Sequence, residues 1–187
     1  MVDLKILLFV SILVIFVIKS QNTENASVRD SSRIGFETVF WGPHVWATFH
    51  VCTLSFPRDP SRCEKKAMNS LFQSMIHNIP CKTCRDCYTK LIKVVPPGPF
   101  IELGRAGAFG YSWLLHNLVS KKIHKDLITF DAAARYWIGT GAVHGSDASF
   151  VDKKVQELVQ DVQTRGVSQL LETYAAQGEQ FINVCAR

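Results

Sequence analysis

The sequence predicts an all-α fold. Apolar residues recur at helical spacing in several segments, and prolines and glycines separate these segments. The sequence shows no strand-length alternation and no hairpin dipeptide. With 187 residues, 47% of them hydrophobic, the chain is long enough for one domain with a buried core. We therefore expect a helical bundle of four to five helices as the main domain.

The first twenty residues form a separate hydrophobic segment. The run from Ile6 to Ile18 is apolar except for Ser11, and Lys5 and Lys19 flank it. This length suits a signal peptide, or a short membrane span whose flanking lysines reach the interface. The small residues that precede a cleavage site are mostly missing. We therefore expect a retained anchor and a single-pass membrane protein, with the side of the membrane undecided.

Composition divides the chain into four regions. Ser, Asn and charged residues dominate the segment after the anchor, which predicts a linker. Gly139, Gly141 and Gly145 mark a later boundary. The predicted regions are an anchor at 1–20, a linker at 21–37, a main domain at 38–140 and a helical C-terminal extension at 141–187.

Helices are predicted in order along the main domain and the extension. Prolines 57 and 60 separate the first two helices, and Pro80 ends the second. A glycine-rich loop is expected before the fourth helix. Because the extension carries an amphipathic stripe, we expect a partner or a second subunit to cover that stripe. The predicted helices cover about 45–54, 68–79, 81–95, 111–123 and 132–137, with one or two more between 151 and 174.

The net charge is weakly positive. The formal value of +5 at pH 7 is spread along the chain, without a run of lysines and arginines dense enough to follow a phosphate backbone. We therefore expect no nucleic-acid partner.

Three of the six cysteines, Cys81, Cys84 and Cys87, form a cluster directly after a proline. An iron–sulfur site of the bacterial ferredoxin type requires a fourth cysteine followed by proline, and Leu91 occupies that position. A zinc site with the three cysteines and a histidine as ligands is an alternative. A structural disulfide is another. We favour a redox disulfide between Cys81 and Cys84, because the start of a helix stabilises a thiolate.

Two predicted helices carry histidines beside apolar or aromatic residues. Trp46 and His50 lie one turn apart on the first helix. His116 and Val119 share one face of the fourth helix, with Asn117 beside them. Such faces can hold a flat cofactor with polar edges, although each residue taken singly is also explained by ordinary helix packing.

Three motifs in order resemble a known family. W-G-P-x-x-W-x-x-x-H comes first and is followed by Phe56-Pro57, P-C-x-x-C then opens a helix, and H-N-x-V-x-x-K-x-x-K comes third. Together they resemble the FAD-linked sulfhydryl oxidases of the Erv/ALR family. The forms W-G-P and I-P-C-x-x-C-R are similar to its virus-encoded members. The resemblance covers about residues 39–137 and implies a viral protein with an FAD-binding helical bundle.

The resemblance implies roles for individual residues. Cys84 is the expected flavin-proximal thiolate, and Cys81 is the expected thiol that exchanges with the incoming substrate. The residues expected to bind FAD are Trp46, His50, His116, Asn117, Val119, Lys122, Lys125 and Trp137.

The implied enzyme is an FAD-dependent thiol oxidase that forms disulfide bonds in proteins. Electrons are expected to pass from a protein dithiol or a thioredoxin-like relay, through the C-x-x-C pair and FAD, to oxygen, which gives hydrogen peroxide. The resemblance also implies a homodimer. The main alternative function is a membrane-anchored zinc-binding helical module.

The chain departs from the family's pattern at several positions. Many members have a structural cysteine pair that flanks H-N-x-V, and this chain has Trp113 and residues near Phe130 in those places. We expect apolar packing to replace that disulfide. Cys87 stands where cysteine is unusual, as either a resolving thiol or a small buried hydrophobe. The tail offers only Cys185 as a terminal relay cysteine, and Cys52 is expected in the core.

Overall fold

The computed structural model describes residues 35–141 and 147–185. Within these residues the chain forms eight helices and no strand, which confirms the all-α prediction. The predicted linker and anchor lie outside the described residues, apart from the linker's last three positions. The helices are α1 Thr38–Leu54, α2 Arg62–Asn78, α3 Lys82–Val94, α4 Gly98–Ile101, α5 Gly104–Lys122, α6 Phe130–Gly141, α7 Ala148–Thr164 and α8 Val167–Cys185.

Local sequence signals explain where α2 and α3 begin. Ser61 caps α2 and forms a capping box with Glu64, because each side chain accepts a hydrogen bond from the other residue's backbone N–H. Cys81 is the N-cap of α3, and its sulfur accepts a hydrogen bond from the N–H of Cys84 at 3.2 Å. Pro80 precedes this cap, so α2 cannot continue into α3.

Helix α5 lies at the centre of the bundle and contacts α1, α4, α6, α7 and α8. Its first two turns carry the sequence G-R-A-G-A-F-G, which we predicted to be a loop. That prediction was wrong, because tertiary packing outweighs the weak helix propensity of glycine. Gly107 lies against the carbonyl of Phe100, and Gly110 lies against Val167 and Leu171 of α8. The small residues therefore let neighbouring chain segments approach α5 closely.

The C-terminal helices pack on the rest of the chain. Val155 and Leu158 of α7 and Val167 of α8 are buried in a cluster with Ala106 and Phe109 of α5. Helix α8 also contacts α3 and α4. The amphipathic stripe of the extension is thus covered by this chain's own helices, and the expectation that a partner or second subunit covers it was wrong.

The prediction of a single-pass membrane protein requires correction. Among the described residues, no helix has the length and apolar character that a membrane crossing needs. The hydrophobic leader on which the prediction rested lies outside those residues.

Candidate active site

The site begins with the cysteine pair at the start of α3. Cys81 and Cys84 form a disulfide, with their Cα atoms 5.2 Å apart. Both residues are half-buried. Because Cys84 lies in the first turn of α3, free backbone N–H groups and the helix dipole stabilise its thiolate when the disulfide is reduced. Cys81 and Cys84 are therefore a bonded pair at a position that would stabilise a thiolate.

A cavity of about 700 Å³ opens beside Cys84, between α1, α3 and α5. Its walls are mainly apolar and aromatic, with cationic side chains at one part of the surface. Cys84 lines this cavity, and Cys81 is not among the lining residues. Five residues predicted to bind FAD also line it: Trp46, His116, Val119, Lys122 and Lys125.

Aromatic rings are stacked along one wall of the cavity. The rings of Trp46 and His116 lie 4.2 Å apart and only 7° from parallel. Behind them, His50 Nε2 lies 2.9 Å from His116 Nδ1, and the ring of Trp137 stacks on His50 at 5.0 Å. The chain therefore brings four predicted residues from α1, α5 and α6 into one stack.

Three predicted residues lie off the cavity surface. His50 is buried behind His116, and Trp137 lines a separate cleft of about 440 Å³ with residues of α7. Asn117 binds the backbone of the segment that follows α5. Its side-chain N–H donates to the carbonyl of Ile128 at 2.8 Å, and its side-chain oxygen accepts from the N–H of Ile128 at 3.2 Å. Their assignment to FAD stays a prediction, with His50 placed to act through His116.

Burial keeps both histidines neutral. Burial, with a smaller contribution from the nearby His116, lowers the pKa of His50 to about 3. Burial also lowers the pKa of His116 to about 4, with a second contribution from the positive charge of Lys125. At neutral pH each ring therefore has one nitrogen that donates and one that accepts.

Cys87 is a free, half-buried thiol on the cavity wall. The ammonium of Lys122 donates a hydrogen bond to its sulfur at 2.9 Å. A cysteine that served only as a small buried apolar residue would not contact a charged group. The contact with Lys122 therefore gives Cys87 a polar environment. Cys52 packs against the main core cluster, as predicted, and Cys63 is exposed on α2. The side chain of Cys185 lies outside the described part of the chain.

Comparison with known proteins gives the family. The sequence profile of the Erv1 / Alr family matches residues 43–138, just over half of the chain. The chain belongs to the Erv1 / Alr family. This confirms the resemblance seen in the three motifs. The matched range ends within α6, so α7 and α8 lie beyond it.

Individual members of the Erv1 / Alr family resemble the chain at moderate identity. A protein of Invertebrate iridescent virus 6, named as an FAD-linked sulfhydryl oxidase, is 27% identical over 101 residues, which cover 52% of this chain and 91% of that protein. A protein of Acanthamoeba polyphaga mimivirus with the same activity in its name is 25% identical over 93 residues, which cover 50% of this chain and 65% of that protein. An FAD-linked sulfhydryl oxidase of Oryza sativa subsp. japonica is 24% identical over 98 residues, 51% of this chain and 48% of that protein.

This Erv1 / Alr chain has a hydrogen bond and aromatic contacts around Trp113, at the place where many members have a structural disulfide. The indole of Trp113 donates to the carbonyl of Ile128 at 2.8 Å. Phe130 packs edge-on against Trp113 at 5.8 Å and against Phe109 at 5.3 Å. Apolar packing at Trp113 and Phe130 was expected, and the hydrogen bond of the indole was not.

Sequence reasoning missed the two hydroxyl residues that support the histidines. Ser112 and Thr53 are fully buried, and Ser112 Oγ lies 3.0 Å from His50 Nδ1. Ser112 precedes His116 by four residues, and Thr53 follows His50 by three. A hydroxyl at helical spacing from a histidine was therefore the signal that could have identified them.

The zinc alternative has little support from the donor geometry. The sulfurs of Cys81 and Cys84 are bonded to each other, and the sulfur of Cys87 accepts a hydrogen bond from the ammonium group of Lys122. Among the residues that the structure describes, no group of three His, Cys, Asp or Glu side chains is placed to hold a metal ion. A zinc site would require the disulfide to open and Lys122 to move.

Proposed function

We propose that this chain is an FAD-dependent thiol oxidase that forms disulfide bonds in protein substrates. The observation that carries the proposal is the Cys81–Cys84 disulfide at the start of α3, with Cys84 on the wall of the 700 Å³ cavity. Membership in the Erv1 / Alr family and the activity named for its relatives support the predicted enzyme class and cofactor.

The residues of the cavity suit FAD. The volume lies within the range of pockets that bind small molecules and cofactors. The apolar and aromatic walls near Trp46 suit a flat heteroaromatic ring system. Lys122 and Lys125 supply positive charge on the same surface, which suits a pyrophosphate. We propose that these residues, together with His116 and Val119, hold the cofactor.

The two cysteines have different tasks in the proposed reaction. A substrate thiolate attacks the sulfur of Cys81, the Cys81–Cys84 bond breaks, and Cys84 leaves as a thiolate stabilised by the start of α3. The second substrate thiol then attacks the mixed disulfide, which releases the substrate as a disulfide and Cys81 as a thiolate. The substrate has lost two electrons, and the cysteine pair now holds them.

The pair must then return to the disulfide. FAD, when bound in the cavity, would supply the two-electron acceptor for this step, and oxygen would finally take the electrons as hydrogen peroxide. Cys84 is the cysteine that meets the cavity, so we assign electron transfer to Cys84 and substrate exchange to Cys81.

The proposed function also includes the binding partners of the chain and the limits of its catalytic domain. The substrates are protein dithiols, presented directly or through a thioredoxin-like relay. We propose a homodimer and a catalytic domain at 38–140, with the extension at 141–187 as a structural part of the same molecule. Sedimentation of the purified chain tests the dimer.

Oxygen consumption tests the reaction. With a dithiol substrate, the wild-type chain should consume one oxygen molecule and form one hydrogen peroxide molecule for each disulfide made. Cys63→Ser removes an exposed thiol away from the cavity and should leave this ratio and the rate unchanged. Disulfide formation without oxygen uptake would show that another electron acceptor is used.

A further inference from the structure

A buried chain of hydrogen bonds runs from the cavity wall into the core. His116 Nδ1 contacts His50 Nε2 at 2.9 Å, and His50 Nδ1 contacts Ser112 Oγ at 3.0 Å. Thr53 Oγ1 lies 3.1 Å from Ser112 Oγ. Ser112 and Thr53 are completely shielded from solvent, so their hydroxyl protons must be used within the protein.

The two hydroxyl groups have carbonyl partners. Ser112 Oγ lies 2.9 Å from the carbonyl oxygen of Phe109, and Thr53 Oγ1 lies 2.8 Å from that of Phe49. A carbonyl oxygen can only accept, so in each of these contacts the hydroxyl is the donor. Ser112 therefore donates to Phe109 and has only lone pairs left for the other contacts. It follows that Ser112 accepts a hydrogen bond from His50.

This direction fixes the tautomers of both histidines. His50 has its proton on Nδ1, where it donates to Ser112, and its Nε2 is an acceptor. His116 must then have its proton on Nδ1 to donate to His50 Nε2. The Nε2 atom of His116 consequently has no proton.

The bare nitrogen of His116 is accessible from the cavity. His116 lines the cavity, and its Nδ1 is occupied by His50. Every buried side-chain nitrogen and oxygen in the described part of the chain has a hydrogen-bond partner. No partner of His116 Nε2 occurs among the described residues, so this atom is not buried. The parallel ring of Trp46 limits the orientations that the imidazole can adopt.

We infer that Ser112 is a positioning residue that acts through His50 to make His116 Nε2 a hydrogen-bond acceptor for the ligand in the cavity. The acceptor selects a ligand with an N–H or O–H donor at this point. Adenine and flavin rings both carry N–H donors, so this role rests on the proposed function and refines it. Thr53 contacts the same hydroxyl, with its Oγ1 atom 3.1 Å from Ser112 Oγ.

Nitrogen NMR of the full chain with ¹⁵N-labelled histidine tests the tautomers directly. The wild-type protein should show a proton on Nδ1 of both His50 and His116, with the ring signals assigned by through-bond correlation to the backbone signals of each residue. Ser112→Ala removes the acceptor for the His50 proton, so the proton of each ring should move to Nε2. Wild-type His116 with its proton on Nε2 would overturn the inference, and this measurement requires neither a variant that folds nor bound FAD.

Binding of FAD to the same proteins tests the consequence. Ser112→Ala turns the acceptor of His116 into a donor, so the affinity for FAD should fall about tenfold or more. Ser74→Ala is the matched control, because Ser74 donates to the carbonyl of Leu71 at the same 2.9 Å and is exposed on α2. Equal affinity in wild type and Ser112→Ala would overturn the inference. Failure of the wild-type chain to bind FAD would instead contradict the proposed function and leave the NMR result to decide the tautomers.

Discussion

At the residue scale, Cys81 and Cys84 have distinct environments, although they form one disulfide. Cys84 lines the cavity and Cys81 does not. We predict that Cys81→Ser and Cys84→Ser each lower dithiol oxidation by at least about 100-fold, because neither variant can form the disulfide that the substrate attacks. FAD should stay bound in both. Turnover close to wild type in either variant would contradict the assignment, and Cys63→Ser serves as the control for a lost thiol.

The buried histidines predict how stability depends on pH. Their pKa values are about 3 for His50 and about 4 for His116 in the folded chain, and about 6.5 when unfolded. Between pH 7 and 5 the unfolded chain therefore binds more protons than the folded chain, so stability falls as the pH is lowered. Because His116 is only half-buried, solvent screens part of its effect, and we expect a total loss of roughly 1–3 kcal/mol over this range. Urea unfolding at several pH values measures it.

A control for this pH effect is His44→Gln. His44 is exposed on α1, so the variant should keep the same loss of stability between pH 7 and 5. A free energy of unfolding that is constant across this range would show that the two buried histidines are not held neutral by the fold.

The sequence indicated which residues lie near the cavity, but it did not indicate which atoms these residues contact. Cys84, Trp46 and His116 line one cavity, and their roles there stay predictions. The position of Asn117 against Ile128 could not be predicted, because it depends on the path of the chain after α5. Motifs indicate which residues lie near one another, whereas burial and hydrogen-bond partners depend on how several helices pack.

At the element scale, α5 depends on small residues for its packing. A Cβ at position 107 would overlap the carbonyl of Phe100, and backbone cannot move aside easily. We predict that Gly107→Ala destabilises the protein by about 2–3 kcal/mol. Gly139→Ala on α6 is the matched control, because its Cβ would lie 3.9 Å from Val151 and should cost little. Thermal unfolding compares the two, and equal melting temperatures would contradict the proposed close packing.

The same packing explains which helices the sequence predicted well. Prolines and clear apolar periodicity placed the end of α2 and both ends of α3 within one residue. The observed start of α2 at Arg62 lies six residues before the predicted start near 68. The start of α5 was missed, since glycine and alanine lack both features. Its helical state is stabilised by packing against Phe100 of the preceding helix α4 and against α8, and α8 is distant in sequence.

At the scale of the whole molecule, α7 and α8 complete the core. They cover Phe109 of α5, and Tyr174 packs against Phe100 with ring centroids 5.3 Å apart. Arg58 and Asp161 join the family region to α7 through an ion pair at 2.6 Å. We predict that a chain ending at residue 141 loses cooperative unfolding and binds hydrophobic dyes, because this surface becomes exposed. A truncated chain with the wild-type melting temperature would contradict this role. The sequence boundary near 140 marked a change of composition, and it did not reveal this shared core.

The measurement that tests the central claim most directly is the visible absorption spectrum of the purified chain, followed by anaerobic addition of dithiothreitol. We predict a flavin band that bleaches with the dithiol and returns with air in the wild-type protein. In Cys84→Ser the same band should be present and should not bleach at the wild-type rate. A wild-type chain without a flavin band, or with a band that the dithiol leaves unchanged, would contradict the assignment of this molecule as an FAD-dependent thiol oxidase.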